Sequence, residues 1–469
     1  MHSPNVAQAG TAGRAPMRAL VSWVMFDWAA QPYYTLVLTF LFAPYFATVV
    51  VGDAARGQQL WGFAAAAAGV IIAVGSPLLG AFADGRGRRK PWIALFSLLF
   101  MAGLAVLWLG KPAADTATIY LILAGFIAAT IAAEFTQVFT NAIMPTLVPA
   151  HQLGRLSGTG WAVGYAGGLI SLALMAGLII ANPATGKTIL GLEPLLKLDT
   201  AVREGDRLVG PFAAAWYLIF MIPFFLFVPD THKPPPPDAP HRTALAELWD
   251  TLKGLPQHPD MLFFLIARML YIDGLTAIFA FGGIYGAAVF GWQALELGIF
   301  GIVLTLTGLI GAVIGGVLDD RIGARRVIMV ALLILIAGTF GILSIDKSHV
   351  LYTMEVAPKA AGSSPFSSIG EKVFLAFAMV IGIVAAPVQA ASRSLMARLA
   401  PPDKITQFFG LFAFSGKVTA FFAPFSIAAL TAATGSERIG MSAITAFLLV
   451  GMALMFMVRE RARTGPGTQ

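Results

Sequence analysis

Apolar runs long enough to cross a lipid bilayer recur along the whole chain, separated by short polar breaks. They fall near 20–50, 59–83, 92–110, 117–144, 155–182, 211–229, 261–290, 293–318, 326–345, 369–397, 406–433 and 437–458. About 20 apolar residues in a helix match the hydrocarbon thickness of a membrane. Each run therefore predicts one membrane-spanning helix, spans 1 to 12. Between the sixth and seventh lies DTHKPPPPDAPHRT (230–243), whose consecutive prolines exclude a helix. Beyond it Leu245, Leu248, Trp249 and Leu252 recur at helical spacing, which predicts an amphipathic helix at the membrane surface. The expected division is a first six-helix bundle over 1–230, a linker with the amphipathic helix over 231–260, and a second six-helix bundle over 261–469.

The two halves repeat each other. GAFADGRGRRK (80–90) follows span 2 and GVLDDRIGARR (316–326) follows span 8. Gly80 and Gly316, Asp84 and Asp320, Gly87 and Gly323, and Arg89 and Arg325 pair at one constant offset, with Arg321 inside the second copy. Gln137 and Gln389, Pro149 and Pro401, Gly158 and Gly410, and Gly164 and Gly416 pair at a second offset. Parallel repeats of six helices are a transporter plan. The predicted fold class is an all-α membrane protein with twelve transmembrane helices in two pseudo-symmetric six-helix bundles.

Composition narrows the function. The chain is 58% hydrophobic and 12% charged, against about 25% charged in soluble domains. It contains no cysteine, which excludes disulfides, thiol chemistry and cysteine-ligated zinc. The histidines show no metal-ligand spacing, and no metal or other cofactor is expected. ATGKT (184–188) lacks the first glycine of a phosphate-binding loop, Ala181 standing in its place, and no strand precedes it. No enzyme is expected.

The positive net charge gathers on the loops of one side, which is a topology signal rather than a nucleic-acid signal. It predicts both termini in the cytoplasm, with an uncleaved first helix. The expected setting is a bacterial inner membrane, the expected state a monomer, and the expected partners the bilayer and a small solute.

Five ionisable residues fall well inside spans: Asp27, Glu134, Arg268, Asp273 and Lys417. Each costs about 2.5–3.5 kcal/mol at a helix centre, so they are expected to face the protein interior or a wet cavity. Polar neighbours share their faces at helical spacing. Gln31 and Tyr34 join Asp27, Gln137 and Asn141 join Glu134, Gln389 and Arg393 align on span 10, and Trp161 and Tyr165 align on span 5. These eight are the candidate substrate-contacting residues. Arg268 and Asp273 lie about 140° apart around one helix and are not expected to pair. Asp27 and Asp273 are expected at similar depths in the two halves. With three acids facing two bases, one acid lacks a cation, and a buried carboxylate without one tends to hold a proton. Protons are therefore the candidate coupling ion, with sodium coupling and facilitated diffusion as the alternatives. Pro32 predicts a kink in span 1.

The loops between spans 2 and 3 and between spans 8 and 9 resemble the signature loop of the major facilitator superfamily, although Gly85 stands in the first copy where Arg is usual. FDWAAQPYYTLVLTFLFAPYF (26–46), RLSGTGWAVGYAGG (155–168), YIDGL (271–275) and QAASRSLMARLAPPDKITQFFGLFAFSGK (389–417) are similar to the vacuole-effluxer-like branch, also called the unknown major facilitator group. The resemblance implies a secondary transporter working by alternating access, with spans 1, 4, 7 and 10 lining a central cavity and spans 2, 5, 8 and 11 shaping its sides. It implies that Asp84 meets the start of span 11 (405–408) and Asp320 the start of span 5 (153–156), as gate latches. It also places spans 5 and 8 against each other, so that Gly160, Gly164 and Gly168 would face Gly311 and Gly315 across a sliding interface. Fungal relatives of this branch are linked to amino-acid efflux, which suits a cavity of mixed charge. GRGRRKPWI (85–93) also resembles glycoside–cation symporters, a second reading. A third is a membrane sensor or scaffold that no longer transports.

Overall fold

A computed structural model describes residues 14–230, 243–360 and 363–460. The proline-rich part of the linker lies outside these residues. Among the described residues eleven helices are long and apolar enough to cross a membrane: Met17–Val50, Ala54–Asp84, Lys90–Leu109, Thr116–Thr146, Ala150–Ile179, Glu204–Phe227, Pro259–Phe290, Leu295–Ile322, Ala324–Leu343, Ile369–Leu399 and Glu437–Met455. They are spans 1–10 and 12. Span 11 is not one helix, as its unbroken apolar run suggested. It comprises Ile405–Ser415 and Phe422–Thr434, joined by a turn over residues 416–421. Non-helical backbone at membrane depth is tolerated where it lines a cavity.

Local signals set the helix ends. The Asp53 carboxylate accepts from the backbone N–H groups of Ala55 and Arg56 and starts span 2. Ser368 and Glu371 form a capping box at the start of span 10. Gly291 and Gly435, both left-handed, end span 7 and the second piece of span 11. Pro32 closes a regular α-helical stretch, and the chain continues as a π-helix over Tyr33–Phe40. The bend anticipated at Pro32 is thus an eight-residue change of helical winding.

Spans 1 to 6 pack on one another, as do spans 7 to 12. The halves meet where span 2 packs on the first piece of span 11 and where span 5 packs on spans 8 and 10. Phe63, Val70 and Val74 of span 2 and Leu95, Leu98 and Leu99 of span 3 point outward and are exposed. A soluble protein would not leave such an apolar belt in water, and lipid is its natural solvent. The protein is an integral membrane protein.

The linker helix, Ala244–Gly254, lies against span 2 with Leu245 and Trp249 exposed. The long loop before span 6 folds onto the bundle. Arg207 donates to the Trp108 carbonyl at 2.8 Å and stacks over its ring, and Arg203 pairs with Asp206 at 2.6 Å.

Candidate functional site

A cavity of about 670 Å³ lies between the two halves. The polar stripes anticipated on spans 1, 4, 5 and 10 all reach it: Gln31, Tyr34, Gln137, Asn141, Trp161, Tyr165, Gln389 and Arg393 line its wall, with Asp27, Glu134, Arg268 and Lys417. The lining runs from Asn141 and Arg393 to Phe40, Gly283, Leu297 and Gly301. The last four lie toward the helix ends opposite the two signature loops, so the cavity extends away from those loops.

Two carboxylate–cation pairs cross it. Arg393 of span 10 contacts Asp27 of span 1 at 3.0 Å, and Lys417 contacts Glu134 of span 4 at 2.8 Å. The pairs differ in support. Arg393 is buried and also donates from Nε to the Ser157 hydroxyl at 2.9 Å and from Nη2 to the Ser157 carbonyl at 2.7 Å. Lys417 sits in the turn that breaks span 11, one-third exposed, and Glu134 is its one close carboxylate among the described residues. Periodicity put Arg393 on the cavity face without showing that it is the partner of Asp27. With Arg393 counted, the six intramembrane groups are three acids and three bases.

Arg268 and Asp273 make no ion pair with each other or with any other described residue. The Arg268 guanidinium lies 3.5 Å over the Phe412 ring and donates from Nη1 to the Phe412 carbonyl at 2.6 Å and the Ser415 hydroxyl at 2.7 Å. Asp273 is the exception among the five intramembrane charges. It is buried but absent from the cavity wall, and its Oδ2 has no hydrogen-bond partner. It differs in this from Asp27, which lines the cavity.

The signature-loop end is closed by two matching contacts between the halves. Asp84 accepts from the N–H groups of Thr406 (3.2 Å) and Gln407 (2.8 Å) at the start of span 11. Asp320 accepts from the Gly154 N–H at 2.8 Å at the start of span 5 and lies 3.4 Å from Arg155. Both place a carboxylate on free N–H groups at a helix start, which stabilises it. Arg89 is buried and donates from Nε to the Thr406 hydroxyl at 2.8 Å, although Gly85 replaces the usual Arg. Arg321 is exposed. Gly87 and Gly323 have φ of 88° and 92°, a conformation that favours glycine in both copies.

Glycines bring the halves together here, but not those anticipated. A Cβ on Gly80 would meet the Gln407 backbone, and one on Gly158 would lie 2.7 Å from the Gly316 Cα. Gly160 instead presses on Asp27 of span 1 and Arg393 of span 10, Gly164 on Asp27, and Gly168 on Gln31 and Thr35 of span 1. Gly311 and Gly315 face Ile383 and Pro387 of span 10. Gly164, Gly168, Gly311 and Gly315 therefore pack within their own halves, and Gly160 meets the other half at Arg393 rather than at span 8, because a four-residue repeat identifies a helix face and not its neighbour.

The sequence reading also missed a pair of caps. Asp230, just after span 6, accepts from the N–H groups of Arg89 and Lys90. Glu460, just after span 12, accepts from those of Ala324 and Arg325. The matching position of an acid after the sixth span of each half was the available signal. Glu460 further contacts Arg398 at 2.9 Å, and Arg398 contacts Asp319 at 2.5 Å.

The family model described as vacuole effluxer Atg22 like matches residues 63–464. The chain belongs to this family. This Atg22-like chain is 24% identical over 467 residues to the uncharacterized MFS-type transporter YxiO of Bacillus subtilis, with 96% of each chain covered. It is 24% identical over 318 residues to autophagy-related protein 22 of Cryptococcus neoformans, covering 66% of this chain and about half (51%) of the fungal one. Its fold is similar to that of FucP, a major facilitator superfamily transporter, in the outward conformation, with a TM-score of 0.67, 16% identity, and 95% of this chain and 99% of FucP covered. The protein is an MFS-type membrane transporter, and its relatives are transporters rather than enzymes.

Proposed function

We propose that this chain is a secondary active transporter that moves a small polar solute by alternating access, driven by protons. The carrying observation is that two carboxylate–cation pairs, Asp27–Arg393 and Glu134–Lys417, join the two halves through the cavity wall. The halves, 1–230 and 261–469, cannot rock apart without loosening them. A carboxylate separated from its cation in a low-dielectric wall takes up a proton. A proton on Glu134 or Asp27 therefore favours release, and its loss favours re-closure. Glu134–Lys417 is the pair that lets go more readily, because Lys417 is partly exposed on a turn while Arg393 is fixed by Ser157.

Asp84 and Asp320 act as latches that hold the signature-loop end shut, and the positive-inside pattern puts that end and both termini in the cytoplasm of a bacterial inner membrane. The state described is then closed to the cytoplasm, with its cavity extending outward. Acids and bases side by side suit an amino-acid-like solute. A sugar is the second reading, supported by Tyr34, Trp161 and Tyr165 in the wall, whose rings offer stacking faces.

The test is uptake into proteoliposomes under an imposed pH gradient, with amino acids and sugars in competition. Glu134→Gln is expected to lose proton-driven accumulation while keeping exchange of solute for solute. If Asp27→Asn, Glu134→Gln and Asp273→Asn all retained full proton-dependent uptake, proton coupling through these acids would be excluded.

A further inference from the structure

The cavity wall carries an uneven charge set. Asp27 and Glu134 are its carboxylates, and Arg268, Arg393 and Lys417 its cations. Arg393 and Lys417 each hold one of the two acids, which leaves Arg268 as the cation of the wall without an ion-pair partner among the described residues. Its side chain is nine-tenths buried at 9% exposure. Desolvating a guanidinium at membrane depth is costly unless an acceptor meets it.

The protein meets it only in part. Nη1 is used on the Phe412 carbonyl and the Ser415 hydroxyl. Nε has no acceptor, and no described residue accepts from Nη2. The Phe412 ring covers one face at 3.5 Å, which fixes the plane of the group. The other wall of the slot is the break in span 11. A Cβ on Gly416 would stand 3.1 Å from Nη1 and 3.4 Å from Nη2, so the glycine at the turn leaves the guanidinium its room. Across the cavity the Trp161 indole N–H is a second buried donor without an acceptor. Unmet donors on a held, planar cation are what a carboxylate satisfies, two hydrogen bonds at a time.

We propose that Arg268 is the anchor for a carboxylate of the transported solute, and that the solute class is organic carboxylates. This rests on the transporter reading above and adds the chemistry of its cargo. Asp27 and Glu134 are then left to the coupling pairs, and the bound carboxylate meets the Arg268 donors that the protein leaves open. An amino group on the solute is accommodated but not required. A solute with no carboxylate leaves the Arg268 donors unmet and binds weakly.

The test uses the purified full-length chain and a matched set of probes: 3-phenylpropionate, its neutral amide 3-phenylpropionamide, phenylalanine, phenethylamine and glucose. Binding is read from thermal stabilisation in detergent and from uptake into proteoliposomes. The two carboxylates are expected to bind at least about tenfold more tightly than the amide or the amine, the scale of a charge-assisted hydrogen bond. Arg268→Gln is expected to erase that preference, and Arg268→Lys to keep a reduced one. A role of Arg268 in folding alone would lower stability in both variants without changing the order of the probes.

Equal binding of the amide and 3-phenylpropionate, or an unchanged preference in Arg268→Gln, overturns the proposal. If glucose alone is bound and moved, the proposal falls while the transporter reading stands. If none of the five binds or moves, the carboxylate proposal falls while the transporter reading stands.

Discussion

Arg393 of span 10 lies 3.0 Å from Asp27 of span 1, and its other donors reach Ser157 of span 5 and the Asn141 side-chain oxygen of span 4. One guanidinium therefore ties four helices from two halves. Removing one member of such a buried pair leaves an uncompensated charge, which costs about 3–5 kcal/mol, whereas replacing both by apolar groups is often near neutral. Asp27→Leu and Arg393→Met are each expected to destabilise the protein by about that amount. The double variant is expected to recover most of the loss while remaining inactive in uptake. Thermal and denaturant unfolding in detergent, with uptake alongside, checks both parts.

The glycines of span 5 fall into two groups with different expected effects. Gly158 packs on the Gly316 backbone of span 8, across the halves, while Gly160 packs on Asp27 and Arg393 within the cavity wall. Gly158→Leu is expected to prop the signature-loop end open and leave binding at the cavity intact. Gly160→Leu is expected to break the Asp27–Arg393 contact and abolish transport with that end still able to close. Accessibility of single introduced cysteines at each end separates the two, since the chain has none of its own.

Outside the spans, Asp346 sits in the loop before span 10. The Ser348 N–H, then the His349 N–H and ring and the Arg438 guanidinium, hold its carboxyl well below the usual carboxylate range. A depressed folded-state pKa means that the stabilisation is complete above the unfolded value, about 3.9, and fades as pH falls toward the folded one. The group is 39% exposed, so solvent screening limits its worth to about 1 kcal/mol or less. Asp346→Ala is expected to lower the unfolding temperature slightly at pH 7. That difference is expected to shrink below pH 4, the region of the unfolded value. Unfolding scans against pH measure it.

Much of this architecture is legible in the sequence. Span lengths follow from apolar runs, and the polar stripes of spans 1, 4, 5 and 10 follow from helical spacing, because a costly polar group in a membrane helix has few places to go. The Asp84 and Asp320 contacts are what the resemblance of the two loops to the superfamily's signature implies. What is not legible is contact identity. Spacing puts Arg393 on a face but does not say that Asp27 lies opposite, and it puts Gly160 and Gly164 on a face that meets span 1 rather than span 8. The break in span 11 is hidden because residues 416–421, GKVTAF, carry no proline and only one charge within an apolar run. What opens the helix there is tertiary: Arg268 takes the Phe412 carbonyl and the Ser415 hydroxyl at the end of its first piece.

The latches bear on the balance between two states. A carboxylate on a helix start contributes about 0.3–1 kcal/mol, and up to about 2 when partly buried. Losing both Asp84 and Asp320 is therefore expected to shift the closed-to-open ratio of the signature-loop end by about tenfold or more.

The most direct test of alternating access is a pair of spin-label distances measured in the same protein. Labels at Arg86→Cys and Asp403→Cys bracket the signature-loop end, and labels at Arg56→Cys and Glu437→Cys bracket the opposite end; all four positions are exposed. Adding Asp84→Asn and Asp320→Asn should lengthen the first distance and shorten the second, in reciprocal proportion. Two distances that lengthen together, or a first distance that does not respond, would contradict the account.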